Sequence, residues 1–214
     1  MSARAALWVK VCGITREEDA RAAVEAGASA LGLNFVPRSK RRIDVPSARR
    51  IADAVRGQAE IVGVVEDLSR AELELLTRDV GLDWLQLHGS EPSELLQSLP
   101  GAFKALGVAS AHDVELGRAF PGSRLLLDAK QGSSSGGTGV VFDWSLVQAL
   151  ARERPIILAG GLTPLNVASA VHSVRPWGVD VAGGVESDGD PRRKDREKLD
   201  AFVANARRAH AELP

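Results

Sequence analysis

The chain has 214 residues, 44% hydrophobic and 26% charged, ordinary proportions for a soluble globular protein and enough for a substantial core. Its formal net charge of −1 argues against nucleic acid or an anionic membrane as partner, and its apolar stretches are too short to cross a bilayer. One cysteine forms no internal disulfide and no cysteine-based zinc site, and no basic start leads into an apolar stretch with a small-residue cleavage site, so a cytoplasmic location is expected.

Taken in chain order, Val9-Lys10-Val11 reads as a short buried strand that stops at Cys12-Gly13. Thr15 and Glu18 have the spacing of a capping box opening a helix over 17–26. A strand at 30–35 precedes a helix at 46–55, a strand at 60–65 precedes 69–78, and 84–87 precedes 92–99. The second half repeats this alternation, with strands at 103–106, 124–127, 155–158 and 179–181. Their helices are expected at 111–120, 144–151, 166–174 and 195–209. Short apolar strands alternating with periodic helices imply parallel strands with helical crossovers, buried on both faces.

Eight such units in this length point to an α/β fold, a compact (β/α)8 TIM barrel, with residues 1–214 forming a single domain. A doubly wound open sheet is the other architecture with this alternation, but no GxGxxG follows the first strand. In a barrel the chemistry gathers where strands end and βα-loops begin. Four of the eight exits carry a thiol, an imidazole or a carboxylate: Cys12, Glu66-Asp67, His88 and Asp128.

Each of these has a plain structural reading beside a chemical one. Cys12 is either a small buried hydrophobe or a thiolate stabilised by the nearby helix start. Asp128, ending the run Leu125-Leu126-Leu127, either caps a turn or holds a proton as a general acid with a raised pKa. The basic run "SKRR" (39–42) is solvated surface, or one arginine grips a carboxylate at the rim. His88 is either a satisfied structural histidine or part of the site. Gly160-Gly161 and Gly183-Gly184 follow strands seven and eight, the two places where barrels often bind phosphate through backbone N–H groups, and phosphate is the better reading. The loop with Gly136, Gly137, Thr138 and Gly139 reads as a lid shielding the site. No metal-ligand spacing is present, so no metal is expected.

Seven segments in order resemble the phosphoribosylanthranilate isomerase family, the small barrel enzyme of tryptophan biosynthesis. They are "KVCGIT" (10–15), "FVPRSKRRI" (35–43), "LQLHG" (85–89), "LLLDA" (125–129), "GGTGVVFDW" (136–144), "LAGGLTPLNV" (158–167) and "VDVAGGVE" (179–186). The resemblance implies Cys12 as general base, Asp128 as general acid and Arg41 as receiver of the anthranilate carboxylate. It also implies that the glycine pairs cradle phosphate and that Asp180 faces the substrate.

The reaction implied is an Amadori rearrangement of a small phosphosugar substrate that needs neither metal nor organic cofactor, in a protein that is a monomer or homodimer. Where the family usually reads V-D-V-S-S-G-V-E, this chain has Ala182 and Gly183 in place of the two serines, so weaker or rearranged phosphate contacts are expected. The competing readings are a histidine-pathway-type phosphosugar isomerase, which expects an acidic residue where Cys12 stands, a non-catalytic barrel that binds a phosphorylated metabolite, and a thiol redox sensor.

Overall fold

The computed structural model describes residues 6–129 and 144–214. Eight parallel strands close into a barrel in sequence order: β1 (Trp8–Cys12), β2 (Ala30–Asn34), β3 (Glu60–Val65), β4 (Trp84–Leu87), β5 (Ala102–Val108), β6 (Leu125–Ala129), β7 (Ile156–Ala159) and β8 (Gly178–Val181). β8 pairs with β1 to close the ring, setting Lys10 opposite Asp180. Seven helices cross over outside: α1 (Glu17–Ala26), α2 (Val45–Ala54), α3 (Arg70–Val80), α4 (Ser93–Gln97), α5 (Ala111–Ala119), α6 (Ser145–Glu153) and α7 (Val167–Val174). An eighth, α8 (Arg196–Ala211), follows a 3₁₀ turn at Gly183–Val185 and a hairpin of β9 (Glu186–Ser187) and β10 (Asp190–Lys194).

Period-two alternation sorts the strand residues into two layers. Val9, Val11, Leu31, Leu33, Leu125 and Leu127 face the helices and join the main apolar core. Trp8, Ala30, Val62, Phe103, Leu126 and Ile157 form a separate cluster within the barrel. Both sheet faces are therefore buried, and polar groups at the ends of the inward rows are left for the rim.

Two local expectations fail. Thr15 and Glu18 form no capping box: the N-cap of α1 is Arg16, without a side-chain cap, and the Thr15 hydroxyl donates instead to the Arg192 carbonyl of β10. Capping boxes do form at Ser69 with Glu72 and at Ser110 with Asp113. The helix expected over 92–99 is only Ser93–Gln97, because Pro100 disfavours helical geometry at Leu99 and the chain must turn at Gly101 (φ 82°) into β5. The β9–β10 hairpin, turning at Gly189 (φ 77°), carries no element in the sequence reading.

Candidate active site

Cys12 ends β1, Asp128 lies near the end of β6, Asp180 lies on β8 and His88 follows β4, so all four stand at the C-terminal rim. Below Cys12 on the same inward row is Lys10, fully buried, its Nζ donating to Asp180 Oδ1 at 2.9 Å. Its ammonium also favours the ionised form of the Cys12 side chain. Gly32, opposite Cys12 in the pairing of β1 with β2, makes this arrangement fit. A Cβ there would lie 2.8 Å from Cys12 Sγ and 3.0 Å from Lys10 Cε, closer than real Cβ contacts.

Burial pushes the Cys12 thiol above its ordinary pKa, with Lys10 pulling it down and Asp180 pushing it up. This corrects the expectation of a thiolate stabilised by a helix start. The first turn of α1 carries Glu17, Glu18 and Asp19, which oppose the partial positive charge there, and the cation beside the sulfur is Lys10. The Asp128 carboxyl lies above its ordinary pKa. Burial raises it most; His88 pulls it down and the Asp180 carboxylate adds to the rise. Gln86 Nε2 lies 3.1 Å from His88 Nδ1 and steadies the ring.

Arg41 lies across the exit of β1. Gly13 (φ 75°) makes room for it, since a Cβ at that position would come within 2.2 Å of Arg41 Cδ. The guanidinium grips Glu186 through Nε and through Nη2, the latter at 3.0 Å from Oε2. Lys194 Nζ donates to Glu186 Oε1 at 3.3 Å and to the Ala182 carbonyl at 3.1 Å. Burial works to raise the Glu186 carboxyl, but Arg41 and Lys194 prevail and hold it below its usual range.

The loop after β7 has Gly160 (φ 88°) and Gly161 (φ 64°) in the left-handed region and is pinned by Asn166. The Asn166 side chain accepts from Thr163 N at 2.8 Å and donates to the Gly161 carbonyl at 2.9 Å. Gly183 and Gly184 open the 3₁₀ turn, and a Cβ on Gly184 would lie 2.0 Å from the Leu162 carbonyl oxygen. The two glycine pairs therefore belong to adjoining loops.

The Glu66-Asp67 exit is taken up by structure. Arg38 pairs with Glu66, and Asp67 Oδ1 accepts from Ser90 N at 2.7 Å. Behind it, Glu91 accepts from Asp67 N and Gly89 N and pairs with the buried Lys104 at 2.6 Å, fixing the loop that carries His88. Among the described residues, no cluster of three or more His, Cys, Asp or Glu is placed to hold a metal ion, and no helix is long and apolar enough to cross a membrane. Gly136, Gly137, Thr138 and Gly139, expected to form a lid, lie outside the described residues.

Sequence reasoning missed Lys10, Glu186 and Lys194. Lys10 left a trace, a cation between two valines in a strand otherwise buried; the other two left none. Residues 9–205 match the family of N-(5'-phosphoribosyl)anthranilate (PRA) isomerase. The chain belongs to this family. The relative from Myxococcus xanthus is 46% identical over 206 residues, covering 93% of this chain and 95% of its own. The isomerase of Thermotoga maritima superposes with a TM-score of 0.85 at 40% identity, covering 94% of this chain and 98% of that one. Another PRA isomerase, solved in complex with reduced 1-(o-carboxyphenylamino)-1-deoxyribulose 5-phosphate, is 37% identical with a TM-score of 0.84, covering 94% of this chain and 98% of that one.

Proposed function

We propose that this chain catalyses the Amadori rearrangement of N-(5-phosphoribosyl)anthranilate to 1-(2-carboxyphenylamino)-1-deoxyribulose 5-phosphate in L-tryptophan biosynthesis. Beyond family membership, one observation carries the reading. A buried thiol and a carboxyl that burial raises above its ordinary pKa stand at the same barrel rim, both within the field of one Lys10–Asp180 pair.

Asp128 protonates the furanose ring oxygen, and the C1–O bond breaks to leave an iminium between the anthranilate nitrogen and C1. The Cys12 thiolate then takes the proton from C2, and the electron pair moves toward nitrogen to give an enolamine. Tautomerisation to the ketone completes an isomerisation in which the iminium is the electron sink. Arg41 receives the anthranilate carboxylate, and His88 and Asp180 line the mouth around the sugar. The backbone of Gly160, Gly161, Gly183 and Gly184 holds the phosphate, as the close packing of their two loops allows.

The test is the fluorescence decay of freshly generated phosphoribosylanthranilate with purified protein. Turnover that is lost when Cys12 or Asp128 is replaced supports the assignment. Tight binding of a product analogue without turnover would assign the chain to the non-catalytic barrels.

A further inference from the structure

The proposed mechanism sets buried Cys12 and half-buried Asp128 opposite tasks: Cys12 must give up its proton and Asp128 must keep one. Burial pushes both toward the protonated form, which suits only the acid. A fixed charge that acts on them with opposite sign would separate them, and an ion pair at the rim acts on both.

Lys10 and Asp180 are register partners on β1 and β8, joined by a 2.9 Å ion pair. Lys10 has no exposed surface, and the bare backbone of Gly32 forms the wall against which its stem and the Cys12 sulfur lie. The ammonium therefore sits against the thiol and has no route to water. We propose that the Lys10–Asp180 pair is a fixed dipole across the barrel mouth, its ammonium end at Cys12, and that it biases the two groups in opposite senses, easing proton loss at Cys12 and opposing it at Asp128. The proposal rests on the roles given to Cys12 and Asp128 above, and makes Lys10 and Asp180 positioning residues for the proton transfers.

The ordering of influences at each end agrees with this orientation. At Cys12, after burial, Lys10 outweighs Asp180; at Asp128, after burial and His88, Asp180 outweighs Lys10. The other charges acting on the sulfur are Lys194 from β10, which favours the thiolate, and Arg41 from the loop after β2, already engaged by Glu186. His88 also acts on Asp128 and works against its protonation. The Lys10–Asp180 pair acts on both groups.

The experiment uses the sole cysteine as its own reporter. Iodoacetamide alkylation of the ligand-free enzyme is followed against pH for wild type, Lys10→Met, Asp180→Asn and the double variant, and the Asp128 carboxyl is titrated by ¹³C NMR. Lys10→Met is expected to slow alkylation at neutral pH by at least about tenfold and to move the kcat/KM profile to higher pH. Asp180→Asn is expected to do the reverse at sulfur, speeding alkylation, and to let Asp128 lose its proton at lower pH. The double variant should alkylate at a rate between the two single variants.

An unchanged alkylation profile in Lys10→Met, or shifts of the same sign in both single variants, overturns the proposal. Should circular dichroism show Lys10→Met unfolded, Asp180→Asn decides alone: slower or unchanged alkylation refutes the dipole. Full turnover by Cys12→Ser would remove the base assignment while leaving the alkylation results standing, so the two failures are distinguishable.

Discussion

Arg41 and Glu186, separated by 145 residues in sequence, grip each other at the rim through two hydrogen bonds, one of them 3.0 Å from Nη2 to Oε2. The Nε side of the guanidinium is thereby committed to protein, while its Nη1 is bonded to no protein acceptor among the described contacts. A substrate carboxylate meeting Arg41 finds a fork already fixed in orientation, so little ordering is left for binding to oppose. Arg41→Ala should raise KM by about 10- to 100-fold with a much smaller change in kcat, because the carboxylate is present before and after the chemical step. Steady-state kinetics checks this, and an unchanged KM would pass the role to Arg42.

Cys12→Ser and Asp128→Asn should each lower kcat by at least about a hundredfold while leaving substrate affinity largely intact, since each removes one proton transfer and no charged contact to the phosphate or carboxylate. Serine keeps the size of the thiol but not its acidity. Single-turnover kinetics with a product-analogue binding measurement separates the two quantities, and near-normal turnover in either variant removes that residue from the mechanism.

At the opposite end of the barrel, Arg124 lies 3.7 Å from the ring centre of Trp84, 4.5 Å from Trp177 and 5.6 Å from Trp8. Glu60 accepts from Trp8 Nε1 at 2.8 Å and faces Arg124 at 3.8 Å. Desolvated cation–π contacts are worth about 2 kcal/mol or more, and the base of a barrel contributes to stability more than to chemistry. Arg124→Ala should therefore lower Tm by roughly 4–8 °C, change tryptophan fluorescence, and leave activity per folded molecule near wild type. Differential scanning calorimetry with an activity assay below Tm checks both halves.

These cases mark what the sequence made readable. The eight strand–helix units were legible because apolar alternation and helical periodicity are local, and the rim positions of Cys12 and Asp128 were legible because strand exits follow from that pattern. Lys10 with Asp180, and Arg41 with Glu186, were not, because each pair joins opposite ends of the chain and only barrel closure brings them together. Thr15 shows the converse. Its spacing to Glu18 is a sound local signal, yet the Arg192 carbonyl of the hairpin captures the hydroxyl, and no local rule anticipates that competitor. Arg124 and the three tryptophans were scattered across four segments with nothing to link them.

Burial raises the Asp128 carboxyl above its ordinary value of 3.8, so the folded protein binds its proton more tightly than the unfolded chain does. A group shifted upward contributes stability fully below its unfolded pKa, and that contribution is lost as pH rises through the folded pKa. At neutral pH the native state therefore carries a buried carboxyl that works against folding. Asp128→Asn should be more stable than wild type at pH 7, with the advantage shrinking as pH falls and gone below about pH 4. Urea unfolding of both proteins across that range tests it; an advantage constant with pH would point to packing instead of charge.

Gly183 and Gly184 are neighbours with opposite tolerances. A Cβ on Gly184 would sit 2.0 Å from the Leu162 carbonyl oxygen, a backbone atom that yields only if the loop after β7 moves. A Cβ on Gly183 would meet nothing nearer than Arg41 Nη2 at 3.7 Å and Glu186 Oε2 at 3.8 Å, ordinary contact distances. Gly184→Ala should thus displace both loops proposed to cradle phosphate, raising KM by at least about tenfold and lowering Tm. Gly183→Ser fits as it stands and returns a hydroxyl to the place where the family usually has serine. One added hydrogen bond to phosphate, worth about 0.5–1.5 kcal/mol or somewhat more to a charged acceptor, should lower KM about two- to tenfold. Inorganic phosphate as a competitive inhibitor separates the loop from the rest of the site. Its Ki should fall in Gly183→Ser and rise in Gly184→Ala, and equal Ki values in both variants and wild type would place the phosphate elsewhere on the rim.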